Sequence, residues 1–370
     1  MKKFLIVLSI FFSLNSVFGQ KLALVKTDGK FGFLNESGQF TIEPQYKEAK
    51  EFSEGYAAAK QGNLWGFIDK NNNWVIEPQF TNAKYFNSGI AMVEKNKKWT
   101  YINTKGEELN YPTTDKVYDF YNGVAFTRKG DLVGLINTEG NIVIEPTYEV
   151  IRPFDGDFAK VALNKKWGII DNKGNVIVNL EYDEIGNFSQ NFVWAKKGSE
   201  FGIVTDNQFK PIVGVDKISD FGTNNLSIAR KNNKLGFINK NGEWIIEPNY
   251  SNAKDFSNGL APVEKNGKWG YIDESGEIKI PTKYNDAELF SDNGLAPVKQ
   301  NGKWGFVNKQ GELVIPAEYD ISVSFGFMQK DKGFNGNIAR IKKQGKWSFI
   351  DSQGKVIADK WFDNAELFND

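Results

Sequence analysis

The chain of 370 residues carries 46 basic and 46 acidic residues, 36 glycines and 14% aromatic residues, and it has neither histidine nor cysteine. Balanced charge offers no electrostatic footprint for nucleic acid or anionic lipid. The missing residues exclude disulfides, serine or cysteine nucleophiles activated by histidine, and the usual histidine and cysteine ligation of zinc, iron and copper.

In chain order the first feature is MKKFLIVLSIFFSLNSVFGQ, in which Lys2 and Lys3 precede an apolar run over residues 4–12 broken only by Ser9. That order reads as a secretory signal peptide over residues 1–19. The expectation is an exported protein beginning near Gln20 and placed in the periplasm, at the cell surface or outside the cell. The apolar run is shorter than the span of about 20 residues a membrane helix needs, so no transmembrane segment is expected.

From there a single pattern recurs. Aligned on the large apolar residue that usually precedes a glycine, the copies fall at Phe31, Trp65, Trp99, Val133, Trp167, Phe201, Leu235, Trp269, Trp304 and Trp347. The first seven steps are 34 residues, the eighth is 35 and the ninth is 43. Self-similarity at such a period signals a repeat architecture, and the ten copies fill residues 20–370.

Within a copy, three segments carry strand signals. LAPVEK from Leu260 alternates apolar with small or polar residues, KWGYID from Lys268 places Trp269 and Tyr271 on one face, and EIKIP ends at Pro281. Asn266 and Gly267 supply a hairpin turn between the first two, and residues 273–276 a second turn. The following loop, 284–294, reads Y-x-x-A-x-x-F and is expected to form a short helical turn. Thr100 and Ser348 replace the glycine after tryptophan, and residues 206–210 replace the usual glycine turn, so those copies are expected to be distorted.

Copies such as GLAPVEKNGKWGYIDESGEIKIPTKYNDAELFSD resemble the WG-repeat family, also called KWG repeats, over residues 21–370. The resemblance implies a bacterial repeat protein of β character, and little about mechanism.

A lone three-stranded meander buries too little apolar surface to be stable, so neighbouring copies must cover it. The expected fold is all-β: three-stranded meanders stacked as an elongated solenoid or superhelix, with no strand borrowed to close a ring. A β-propeller is the alternative, although propeller blades usually have four strands.

The repeat also accounts for most candidate chemistry. Asp69, Asp171, Asp273 and Asp351 share a register with Asn103, Asn137, Asn239 and Asn308, the interchange a turn-starting side chain predicts. Trp65, Trp99, Trp167, Trp269, Trp304 and Trp347 alternate with Val133 and Leu235, as core positions do. Prolines such as Pro146 and Pro248 are expected to end a ladder at a strand boundary or exposed edge. The aperiodic element is an insertion around residues 321–336, where Phe325, Phe327, Met328 and Phe334 are candidates for a partner contact.

No catalytic, metal or cofactor residues are assigned. The function expected is an exported scaffold, without catalysis, that binds a protein or polysaccharide at the cell envelope. The alternatives are a glycan-active enzyme using a carboxylate pair and a purely structural spacer.

Overall fold

The computed structural model describes residues 19–320 and 332–369. Its regular structure is β-strand except for one 3-10 turn at Ile357–Asp359, and the strands form ten separate antiparallel sheets.

The sheet built on Trp269 shows the plan. Its strands run Asn252–Ala253, Leu260–Lys265, Lys268–Asp273 and Ile278–Tyr284, each paired with the next. Asn266 and Gly267, with φ of 55° and 73°, form the predicted hairpin between the second and third. Asp273 opens the next turn by accepting the Ser275 and Glu277 backbone N–H groups through Oδ1, both at 3.0 Å. Asp69, Asp171, Asn239 and Asp351 do the same. The three-stranded meander is therefore real, but a fourth strand precedes it. Y-x-x-A-x-x-F is not a helical turn: its central residues pair as a short strand, Asp286–Ala287 in the next copy.

In seven of the ten sheets the fourth strand is bulged over the recurring motif of the third. Tyr271 pairs with Ile280 and Trp269 with Tyr284, so four residues on one strand answer two on the other. The extra backbone crosses Gly270, where a β-carbon would lie 2.4 Å from the Ile280 carbonyl oxygen. The copies that depart from the motif depart here. With Thr100 the fourth strand shrinks to Glu108–Leu109. With Ser348 it is reduced to isolated bridges from Ile350 to Val356 and Trp347 to Phe362. Where Asp206 and Asn207 make the turn, Gln208–Pro211 pairs in simple register without a bulge. Prolines such as Pro146 and Pro248 lie inside the fourth strand and do not end it. Among the described residues nothing pairs beyond that strand, so a missing N–H costs no ladder bond.

Successive sheets pack face to face. The aromatic residue two positions after the motif tryptophan meets the phenylalanine of the next sheet's first strand: Phe67 and Phe86 at 4.6 Å, Tyr271 and Phe290 at 4.9 Å, Phe306 and Phe334 at 5.0 Å. Edge or tilted contacts of this kind add about 0.5–1.5 kcal/mol beyond area burial. Each apolar cluster accordingly draws on two neighbouring sheets, as in Tyr271, Ile280 and Tyr284 with Ala287, Phe290 and Val298. Between sheets, Ser53 and Ser257 donate through Oγ to the Phe86 and Phe290 carbonyls, both at 2.7 Å.

The stacking closes on itself. The last strand, Asn364–Asn369, pairs antiparallel with Leu22–Thr27, Ala365 opposite Val25 and Phe368 opposite Ala23. It supplies the first strand that the N-terminal sheet lacks, giving the order of a complete sheet. The seam repeats the packing found elsewhere, with Phe349 and Phe368 at 4.7 Å. Arg340, buried, donates to the Ala365 carbonyl at 2.9 Å and pairs with Glu366 at 3.1 Å. The protein is thus a ten-bladed β-propeller, not the open solenoid or superhelix its repeats suggested. A strand is indeed borrowed to close the ring.

Candidate functional site

The innermost strand of each blade positions a variable rim. Its alanine and phenylalanine are buried between blades, as Ala83, Phe86, Ala287 and Phe290 show. Ala83 pairs with Val93 and Phe86 with Ala91, so Lys84 and Tyr85 together oppose one residue and bulge away from the ladder. The same shift falls at Lys50 and Glu51 and at Glu366 and Leu367. These blades therefore each offer two residues between two packing anchors. Burial raises the pKa of Tyr85, and the charges of Glu51 and then Glu366 raise it further, although Glu366 belongs to the blade two places back. Inner strands of non-adjacent blades come this close only around a common axis, so these residues line the centre of the ring.

Three arcs differ in chemistry. In the first, Lys50 lies 5.5 Å from both the Trp65 and Tyr85 rings and donates to the Ala83 carbonyl at 2.5 Å. Burial lowers its pKa, Lys84 lowers it further, and Asp119 opposes both. Burial raises the pKa of Asp119 against the pull of Lys84 and Lys50. The second arc is acidic: Asp220 accepts the Asn187 backbone N–H and the Trp194 indole N–H, both at 2.8 Å. Burial, and then the charge of Asp220, raise the pKa of Asp255. The third is ion-paired: Lys254 meets Glu288 at 2.8 Å and the Trp269 ring at 4.9 Å, and Lys332 meets Glu288 at 2.5 Å.

This rim provides donors, acceptors and stacking surface. Tyr85 and Leu289 are exposed on it. No group of three or more Asp or Glu residues close enough to hold a metal occurs among the described residues.

The sequence-predicted residues fall elsewhere. Trp65 and Trp304 are buried, while Trp99, Trp167, Trp269 and Trp347 are half-buried. Cations cover several of them, with Arg152 5.7 Å from the Trp167 ring and Arg340 4.8 Å from that of Trp347. Phe334 is the inner-strand phenylalanine of the tenth blade, buried against Phe306. Phe325, Phe327 and Met328 lie outside the described residues. The rim itself was missed. Its signal in the sequence is an alanine, valine or isoleucine three residues before a phenylalanine, as at Ala83 and Phe86 or Ile151 and Phe154, around two residues that change from copy to copy.

A family model described as "WG containing repeat" matches residues 31–65, 65–99, 99–132, 134–167, 167–201, 236–269, 269–304, 304–325 and 347–370. No curated protein sequence matches the chain. Among solved structures, the crystal structure of a eukaryotic initiation factor is similar over 94% of this chain and 98% of its own, with a TM-score of 0.53 and 11% identity. Dipeptidyl peptidase 4 of Porphyromonas gingivalis is similar over 84% of this chain and 58% of its own, with a TM-score of 0.40 and 8% identity. Hsv2p of Kluyveromyces lactis is similar over 53% of this chain and 71% of its own, with a TM-score of 0.33 and 12% identity. The initiation-factor likeness concerns the fold alone. No helix among the described residues is long and apolar enough to cross a membrane.

Proposed function

Because the chain belongs to the WG containing repeat family and its repeats close into a ring, we propose that it is an exported, non-catalytic scaffold that binds a protein or polysaccharide at the cell envelope through its inner rim. One observation carries this reading. The anchors of the inner strand, Ala83, Ile185, Ala253 and Ala287 on one side and Phe86, Phe188, Phe256 and Phe290 on the other, stay apolar because they pack between blades, while the pair between them runs from Lys84 and Tyr85 to Gly186 with Asn187, Lys254 with Asp255 and Glu288 with Leu289. Positions free of the fold and gathered at one place are where a scaffold varies its contacts. The signal-like N-terminus supports export, and the absence of histidine and cysteine supports binding over nucleophilic or metal catalysis.

The test is a glycan array together with capture from an envelope extract, using the wild-type protein and a rim variant carrying Tyr85→Ala, Asp119→Asn and Asp255→Asn. A ligand retained by the wild type and weakened at least tenfold in a folded rim variant supports the proposal. A ligand bound equally by both would move the site off the rim, and no specific ligand with either would remove the proposal.

A further inference from the structure

Antiparallel order within every blade puts the connections between second and third strands, and between fourth and first, on one face of the ring. The connections between first and second strands, and between third and fourth, lie on the other. The two faces differ in charge. Counted from the penultimate residue of each second strand to the first residue of the third, the ten hairpins hold 22 lysines and arginines against 5 acidic residues. Nine of the 22 are ion-paired, five of them with acids from the fourth-to-first connections of the same face. The other thirteen, Lys97, Lys98, Lys234 and Lys268 among them, have no ion-pair partner among the described residues.

On the opposite face, the turns between third and fourth strands, taken over five residues from the opening Asn, Asp or Thr, hold 12 acidic residues against 6 basic ones. Beyond the inner-strand phenylalanine, the segments leading into the second strands add Glu54, Asp155, Asp157 and Asp292 and no lysine or arginine among the described residues. The balance of 46 against 46 for the whole chain therefore conceals a disc that is basic on one side and acidic on the other.

We infer that the basic face docks on the acidic face of a second copy, so that rings stack head to tail. The complementary surface is present on the same molecule, and both charge patterns recur once per blade at the same angular spacing. Because the two faces largely cancel, a growing column accumulates no net charge. Such a contact is heterologous and does not close, so it yields columns of increasing length and not a fixed dimer. Its strength lies in exposed charges and must fall steeply with salt, since the screening length shrinks from about 30 Å at 0.01 M to about 10 Å at 0.1 M ionic strength.

Sedimentation velocity of the purified full chain at low and high salt tests this. The expected result is a concentration-dependent shift from monomer to dimer and longer species at low salt, reversed at high salt. A basic-face variant, Lys97→Glu, Lys129→Glu, Lys234→Glu and Lys268→Glu, should lose the shift while keeping its circular dichroism. An acidic-face variant, Glu107→Lys, Glu139→Lys, Glu243→Lys and Glu312→Lys, should lose it too, and mixing the two variants should restore association. A chain that stays monomeric at low salt overturns the inference. So does low-salt association that survives both charge reversals, or association that appears only when an anionic polymer such as heparin is added, which would assign the basic face to that polymer.

Discussion

Gly66 lies directly beneath the Ile76 carbonyl: a β-carbon at Gly66 would stand 2.5 Å from that oxygen. The glycine of the repeat motif is thus a clearance for the bulged outer strand, and the relation recurs at Gly134, Gly236 and Gly305.

The first prediction follows from that clearance. Gly66→Ala should cost about 1–3 kcal/mol, the range for forcing extra atoms into packed structure, read by urea unfolding. Thr100→Ala, in a blade whose outer strand has already withdrawn to Glu108–Leu109, should cost less than Gly66→Ala. Equal costs would mean that the crossing backbone is not the reason for the glycine.

Tryptophans of the motif should not be equivalent. Trp304 is buried, so Trp304→Ala should cost about 3–5 kcal/mol, as large-to-small aromatic core changes do. Trp269, half-buried beneath Lys254, should cost less. Thermal or urea unfolding of the two variants side by side tests this ranking, and a larger loss at Trp269 would contradict it.

Ring closure makes the C-terminal strand a central element and not a frayed end. Removing residues 364–370 strips Ala365 and Phe368 from the seam with Phe349. The loss should exceed the roughly 3–5 kcal/mol expected of Phe368→Ala alone. The melting temperature of the truncated chain is the measurement, and an unchanged value would indicate an open array in which the last strand contributes little.

At high pH the ring should fail through its tyrosines. Burial pushes Tyr101 and Tyr319 up to about 12, against about 10 in an unfolded chain. Groups whose folded pKa is raised contribute stability that is fully present below pH 10 and is lost as the pH rises toward 12. Tyrosinate absorbance should therefore rise together with loss of circular dichroism in that window. Complete ionisation near pH 10 with the fold intact would show these hydroxyls to be solvated.

Much of the blade was legible from residue order alone. The 34-residue step, the hairpin at Asn266 and Gly267 and the turns opened by Asp273 or Asn239 are local matters, each decided by a few adjacent residues. The distortion of the copies bearing Thr100 and Ser348 was legible too, because the glycine they lack has a steric role. Two features were not. In most blades the inner strand pairs over only two residues, as at Asp286–Ala287, and where it is longer a bulge breaks the alternation by which a strand is recognised, leaving an apolar spacing that imitates a helical turn. The candidate rim shared that fate, since it consists of the bulged residues themselves. Closure into a ring was decided only by tertiary structure: it depends on the rotation from each blade to the next, set by packing across seams such as Tyr271 on Phe290. No single repeat encodes that angle. It becomes visible only where Phe368 takes the same place against Phe349 and the last strand meets the first.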